Sequence, residues 1–258
     1  MARSLVGNLK FKKGLGNFDS NKFAEEIEAA YTSGNKVEEF TQKKTFSPST
    51  IGYGHGNCAR YWFIAFNGAK FDDNFDATAV ANMSNGTAAH DRIQNIMKKT
   101  GRVKDIEVEI LSQDPPIRGF MDVLLDWDGE EVAGEIKTIK DEGYALRQAA
   151  MAPTGNHKLQ LLAYMKILGL KDGFFYYENK NDQGILIIPI SMTPTNTKLI
   201  DDTFDWLRKV YANYQAGTLP NRAFTKSQSA CKYCPVKKVC WKELDEGEVE
   251  IEAMVPPK

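Results

Sequence analysis

The stretch GFMDVLLDWDGEEVAGEIKTIK, residues 119 to 140, decides the fold. Asp128-Gly129 between alternating apolar residues is the strongest short-range signal for a two-residue hairpin loop. Such a loop sets Trp127 opposite Glu130 and Asp122 opposite Glu135. Because strand side chains alternate faces, Asp122, Leu124 and Asp126 share one side with Ala133, Glu135 and Lys137. Met121, Val123 and Leu125 go to the other side with Val132 and Ile136. Two acids directly opposed destabilise a sheet by about 0.2 to 1 kcal/mol. A divalent cation between them turns repulsion into coordination, since hard cations such as Mg²⁺ take oxygen ligands. An exposed face on which both acids are simply solvated is the ordinary alternative.

Working outward, VKDIEVEIL (103–111) reads as a strand, so three strands form an antiparallel meander broken at Pro115-Pro116. Upstream, Asp19 or Ser20 caps a helix through FAEEIEAAY that Gly34 can end. Ser47-Pro48 marks a helix entry, and Cys58 follows in an aromatic, buried stretch. GTAAHDRIQNIMKKTG predicts a helix from Thr87 to Thr100, with His90, Ile93 and Met97 at helical spacing and Gly101 as the stop. Downstream, a loop rich in Ala, Pro, Thr and Gly leads to the amphipathic helix NHKLQLLAYMKILGL, with Asn156 as its cap. FFYYEN and GILIIPI alternate as two more strands, and TFDWLRKVYANYQ is a further helix before the cysteine-rich end. The order helix, three strands, helix, two strands predicts an α/β core whose sheet is flanked by helices.

A chain of 258 residues can bury a full core, and 42% hydrophobic with 26% charged residues is ordinary for a soluble globular protein. With neither a secretory signal nor an apolar run that spans a bilayer, the expected location is the cytoplasm. The net charge of −1 conceals an asymmetry. Glu243, Asp245, Glu246, Glu248, Glu250 and Glu252 make the last residues an acidic, solvated tail, and the rest is mildly basic. That balance allows a local phosphate-binding patch without demanding one.

The four cysteines are Cys58 and the trio Cys231, Cys234 and Cys240 of CKYCPVKKVC. In a cytosolic chain the spacing suits a metal centre better than disulfides. Four thiolates satisfy tetrahedral zinc, but structural zinc sites usually come from two short pairs. Three clustered ligands with a distant fourth suit a four-iron cubane. Such a centre closes a long chain loop and supplies folding free energy to a segment with little core. Arg222, Lys226, Lys232, Lys237 and Lys238 stand around it in sequence and are either phosphate contacts or an ordinary solvated surface.

Asp122 followed by Glu135-Ile136-Lys137 resembles the PD-(D/E)xK nuclease motif. His90 in GTAAH resembles the histidine of its RecB-like branch, and Gln160 with Tyr164 matches that branch's Q-x3-Y helix. The four cysteines look like the signature of the CRISPR-associated RecB-like exonucleases and the AddB nuclease domain. The likeness runs from Ser47 to Trp241; Phe120-Met121 replaces the motif's proline, and the acidic tail has no counterpart. It implies a restriction-endonuclease-like α/β core with a mixed central sheet flanked by helices, plus an iron–sulfur subdomain built from both terminal segments. The implied division is 1–80, a helical segment with one cluster cysteine; 81–215, the nuclease core; 216–242, the cysteine-rich segment; and 243–258, the tail.

The same resemblance implies that His90, Asp122, Glu135 and the Ile136 carbonyl hold Mg²⁺ or Mn²⁺, the histidine favouring Mn²⁺. Lys137 then positions the attacking water or stabilises charge on phosphorus, and Gln160 and Tyr164 orient the substrate. Cys58, Cys231, Cys234 and Cys240 hold a 4Fe-4S cluster. The implied activity is a metal-dependent DNA exonuclease that prefers single-stranded ends, in a bacterial, archaeal or phage-infected cell. A DNA-end binding module working with recombination or CRISPR adaptation proteins, and a zinc-stabilised endonuclease, are the rival readings.

Overall fold

The computed structural model describes residues 18–33, 43–72 and 76–257. Its helices and strands run α1 (Ser20–Ser33), α2 (Ala59–Phe66), α3 (Ala77–Lys98), β1 (Val103–Gln113), β2 (Pro116–Trp127) and β3 (Glu130–Ile139). They continue with α4 (Asp141–Ala150), α5 (Gly155–Leu168), β4 (Asp172–Asn179), β5 (Ile185–Ser191), α6 (Pro194–Gln215) and the short α7 (Ser229–Lys232). A 3-10 turn at Gly54–Asn57 and a π-helical turn at Val239–Glu243 flank the cysteines. The five strands form one sheet in sequence order, antiparallel except for the β3–β4 pair. This is the α/β, mixed-sheet, restriction-endonuclease-like architecture expected.

Asp128 and Gly129 both adopt positive φ, 56° and 93°, which gives the hairpin the twist its strands need. Trp127 pairs with Glu130 and Leu124 with Ala133, the register read from the turn. Parallel pairing of β3 with β4 requires a long crossover, and α4 and α5 provide it. α5 is buried on nearly every side, through Leu159, Leu161, Leu162, Ala163 and Met165, because it lies between the sheet and α6. α3 crosses β1, β2 and β3. Phe46, Ile51, Trp62 and Phe66 join the same core, and Phe46 bridges to Ile117 on β2. Residue 80 therefore falls inside α3, whose amino-terminal neighbours pack into the core that follows. Among the described residues no helix is long and apolar enough to cross a membrane.

Several expectations need correction. α3 starts at Ala77 rather than Thr87, capped by Asp76 accepting from Ala79 N at 2.8 Å; asparagines and Gly86 in its first half disguise it. α4 was expected as loop, since Gly143 and a wholly unburied sequence leave it no apolar stripe. Thr154, and not Asn156, is the residue before α5. α6 begins at Pro194 behind a Thr193 cap, upstream of the expected Thr203. Asp19 caps α1 by accepting from Asn21 and Lys22, while Gly34 lies outside the described residues.

The largest correction concerns the acidic end, which is docked rather than solvated. Val249 bridges to Pro220, Met254 N donates to Asn57 O at 3.0 Å, and Trp206 Nε1 donates to Glu252 O at 2.9 Å. Ile251 and Met254 enter the core while Glu250 and Glu252 face outward, an alternation that charge counting hides. Ile251→Ala should therefore lower stability by about 2 to 4 kcal/mol, read from urea midpoints. An unchanged midpoint would mean that the segment is solvated after all.

Candidate metal centre where two strands part

The β2–β3 ladder stops at Val123–Gly134, one pair short of Asp122 and Glu135. Gly134 permits the close packing there: a Cβ on it would meet Val123 Cγ1 at 2.4 Å and Phe174 Cζ at 2.5 Å. Beyond it β3 remains paired with β4 alone, and the Asp122 side chain enters the gap, its Oδ2 accepting from Ile136 N at 2.6 Å. The two acids are thus not cross-strand neighbours as the turn register implied. The carboxylate of Asp122 stands where a backbone acceptor would otherwise be.

Asp122 Oδ1 lies 3.5 Å from His90 Nδ1 on α3. Contact with Asp122 lifts the imidazole above its ordinary pKa, against the opposing effect of burial. One turn along α3, Gln94 Nε2 donates to Glu107 Oε1 at 2.7 Å and to Asp122 O at 2.9 Å. Ligand atoms of His90, Glu107 and Asp122 all lie within 4.8 Å of one another. Neither Gln94 nor Glu107 is visible as a site residue in the sequence. Glu107 sits in an ordinary-looking strand alternation, and its one peculiarity, a φ of 49°, exists only in three dimensions.

Glu135 is 1% exposed and does not join that trio. Its Oε1 accepts from Lys137 Nζ at 2.5 Å and from Gln160 Nε2 at 2.7 Å, while Oε2 is buried and has no hydrogen-bond partner among the described residues. Burial pushes this carboxyl up in pKa, and Lys137 opposes the rise. Gln160 also contacts the Tyr164 hydroxyl at 3.3 Å, one turn along α5, so the helix presents both to the site. Burial raises the Tyr164 phenol far above its usual range. A hard cation fits this set: carboxylates and one imidazole converge, and the orphaned Glu135 oxygen lacks only a positive partner.

On the next strand Tyr177 is the register partner of Lys137, and its hydroxyl lies 2.8 Å from His157 Nδ1. Burial, with Lys137 and Arg147 nearby, lowers the His157 pKa to about 3.

The four cysteines, all free thiols, line one cavity with His55, Tyr61 and Trp241. Among the described residues no three of their sulfurs lie mutually within 4.8 Å. Around one tetrahedral zinc, with bonds of about 2.3 Å, sulfurs would be about 3.8 Å apart. Arg222, read from sequence as either a phosphate contact or solvated surface, is committed to the carbonyls of Cys240, Leu244 and Asp245 and to Glu246. Lys238 pairs with Asp72. Tyr61 and Trp62 are core residues, whereas Tyr53 is exposed.

Comparison with known proteins bears on the family and the fold. Residues 66–241 match the family model of the PD-(D/E)XK nuclease superfamily. No curated protein matches the sequence. Among solved structures, LHK-Exo in complex with dAMP is similar over 75% of this chain and 93% of its own, at 17% identity and a TM-score of 0.51. The alkaline exonuclease LHK-Exo from Laribacter hongkongensis covers 74% and 95%, at 15% identity and a TM-score of 0.50.

His157 gives a pH prediction. Its folded pKa lies below the ordinary 6.5, so the stability it contributes is complete above pH 6.5 and is lost as pH falls toward 3. Between pH 7 and pH 5 the wild type should lose about 1 to 2 kcal/mol more than His157→Gln, read from urea midpoints. Equal losses in the two proteins would contradict this.

Proposed function

The chain belongs to the PD-(D/E)XK nuclease superfamily, and on that premise we propose that it is a metal-dependent DNA exonuclease acting on single-stranded ends. The observation that carries the proposal is the buried Glu135 oxygen without a partner, beside Asp122 and His90 and with Lys137 on the same carboxylate. His90, Asp122, Glu135 and the Ile136 carbonyl would hold Mg²⁺ or Mn²⁺. When bound, the cation neutralises charge at the scissile phosphate and acidifies water. Lys137 holds the attacking water and stabilises negative charge on the phosphate oxygens. Gln160 fixes Glu135 Oε1 and so reserves Oε2, and Tyr164 steadies Gln160.

The convergence of the four cysteines on one cavity supports a 4Fe-4S cluster held by Cys58, Cys231, Cys234 and Cys240. Exposed Tyr53, whose ring neighbours His55 at the cysteine cavity, and exposed Tyr233 between two cysteines offer faces for unpaired bases. That supports the single-strand preference.

The protein, purified anaerobically, is incubated with single-stranded DNA labelled at its 5′ or 3′ end, with Mg²⁺ or Mn²⁺. Stepwise shortening is expected, abolished by EDTA and slowed at least about a hundredfold in Lys137→Ala. Wild-type protein that leaves DNA intact with both metals, or Lys137→Ala that cleaves like wild type, contradicts the proposal. Iron and a brown chromophore that disappear in Cys58→Ser are expected; zinc without iron would overturn the cluster.

A further inference from the structure

α5 carries a third polar side chain on the stripe that bears Gln160 and Tyr164. His157 precedes them by three and seven residues, which sets all three on one face. Gln160 reaches Glu135 Oε1. One turn nearer the start of α5, His157 Nδ1 lies 2.8 Å from the hydroxyl of Tyr177, the register partner of Lys137. The stripe thus runs alongside the strand segment that carries Glu135 and Lys137. Metal binding and water activation as described above leave His157 without a task.

The hydrogen-bond pattern fixes what the ring offers. Burial pushes the Tyr177 phenol up to about 12, so it keeps its hydrogen, and the Thr154 backbone N–H lies at the same oxygen. An oxygen that accepts from Thr154 gives its own hydrogen to Nδ1, which leaves the imidazole hydrogen on Nε2. Among the described residues Nε2–H meets no acceptor, and the half-buried ring leaves it open to a ligand.

The surroundings select an anion. Lys137 and Arg147 both act on the ring, and no carboxylate does. Arg147 Nη1 donates to Ala152 O at 3.2 Å, which holds the guanidinium at the turn between α4 and α5. Its other N–H groups meet no acceptor among the described residues. A lysine, an uncommitted guanidinium edge and a neutral imidazole donor together make a place for a phosphate rather than for a cation. We propose that His157 is a substrate-contacting residue whose Nε2–H donates to a phosphate oxygen of the DNA strand alongside Lys137, with Arg147 beside the same phosphate. The inference rests on the nuclease reading for the identity of the anion.

Fluorescence anisotropy of the full chain with short, labelled single-stranded oligonucleotides in EDTA tests this, each strand carrying one neutral methylphosphonate at a different linkage. His157→Asn, which keeps a nitrogen near Nδ1 for Tyr177 but has no atom at Nε2, should bind the unmodified strand about tenfold more weakly than wild type. At one linkage the methylphosphonate should weaken wild type by about the same factor and leave His157→Asn unaffected. His157→Gln, whose amide nitrogen falls near Nε2, should recover most of the affinity. Wild type indifferent to the methylphosphonate at every linkage, or wild type and His157→Asn weakened equally at each, overturns the proposal. The DNA-cleavage assay separates the two readings: wild type that cleaves without this coupling refutes the contact alone. Wild type that shows the coupling yet cleaves nothing refutes the nuclease alone.

Discussion

A carboxylate closed off from water, with one oxygen left without a partner, is a costly object, and Glu135 is one. Burial of an unpaired charge costs several kcal/mol unless ions or hydrogen bonds replace water. Lys137 and Gln160 replace half of that solvation at Oε1. Among the described residues nothing replaces the other half, although Asp122 lies near enough to add its own repulsion. The neighbouring structure makes sense as the support of that unfinished coordination. Gln160 is positioned by a helix enclosed between sheet and α6, and Tyr164 on the same face is equally enclosed.

The space for the site comes from topology. β3 is antiparallel to β2 for its first half and remains beside β4, in parallel, for its second. Where it leaves β2, two strands diverge and their backbone groups would lie open; Asp122 closes the gap by accepting from Ile136 N. The parallel pairing in turn forces a crossover, and that crossover delivers Gln160 and Tyr164 over the ends of the parted strands. α3 approaches from β1 and β2 with His90 and Gln94 one turn apart. The end of one ladder therefore opens the gap, and the crossover and α3 bring the side chains that surround it.

Much of this was legible in the sequence. Asp128-Gly129 gave the register by itself, because a two-residue loop leaves no freedom in how the strands pair. The short-range spacings of Glu135 to Lys137 and Gln160 to Tyr164 are also local geometry, so they translate directly into shared faces. What escaped depends on partners distant in the chain. The parting of β2 from β3 after Gly134 leaves β3 held by β4 on its other edge, a strand the hairpin sequence does not contain. Glu107 and Gln94 meet only because α3 crosses β1, and neither has a spacing that sets it apart. α4 has no buried residue to mark an apolar stripe, and the acidic end conceals Ile251 and Met254 among glutamates.

The cysteine-bearing lobe shows how the terminal segments are joined. Buried Arg60, two residues past Cys58, donates to Pro220 O and Asp245 O, and Arg222 also reaches Asp245 O and adds the carbonyls of Cys240 and Leu244. The lobe is thus fastened at its base by guanidinium groups as well as by whatever its thiols bind. The central claim, that the anionic pocket is built around a cation, is tested most directly by melting the metal-free protein with and without saturating Mn²⁺. Binding at about a hundred times Kd should stabilise wild type by about 2.7 kcal/mol, and Glu135→Gln should lose most of that gain. Equal stabilisation of the two proteins, or none in wild type, would contradict it.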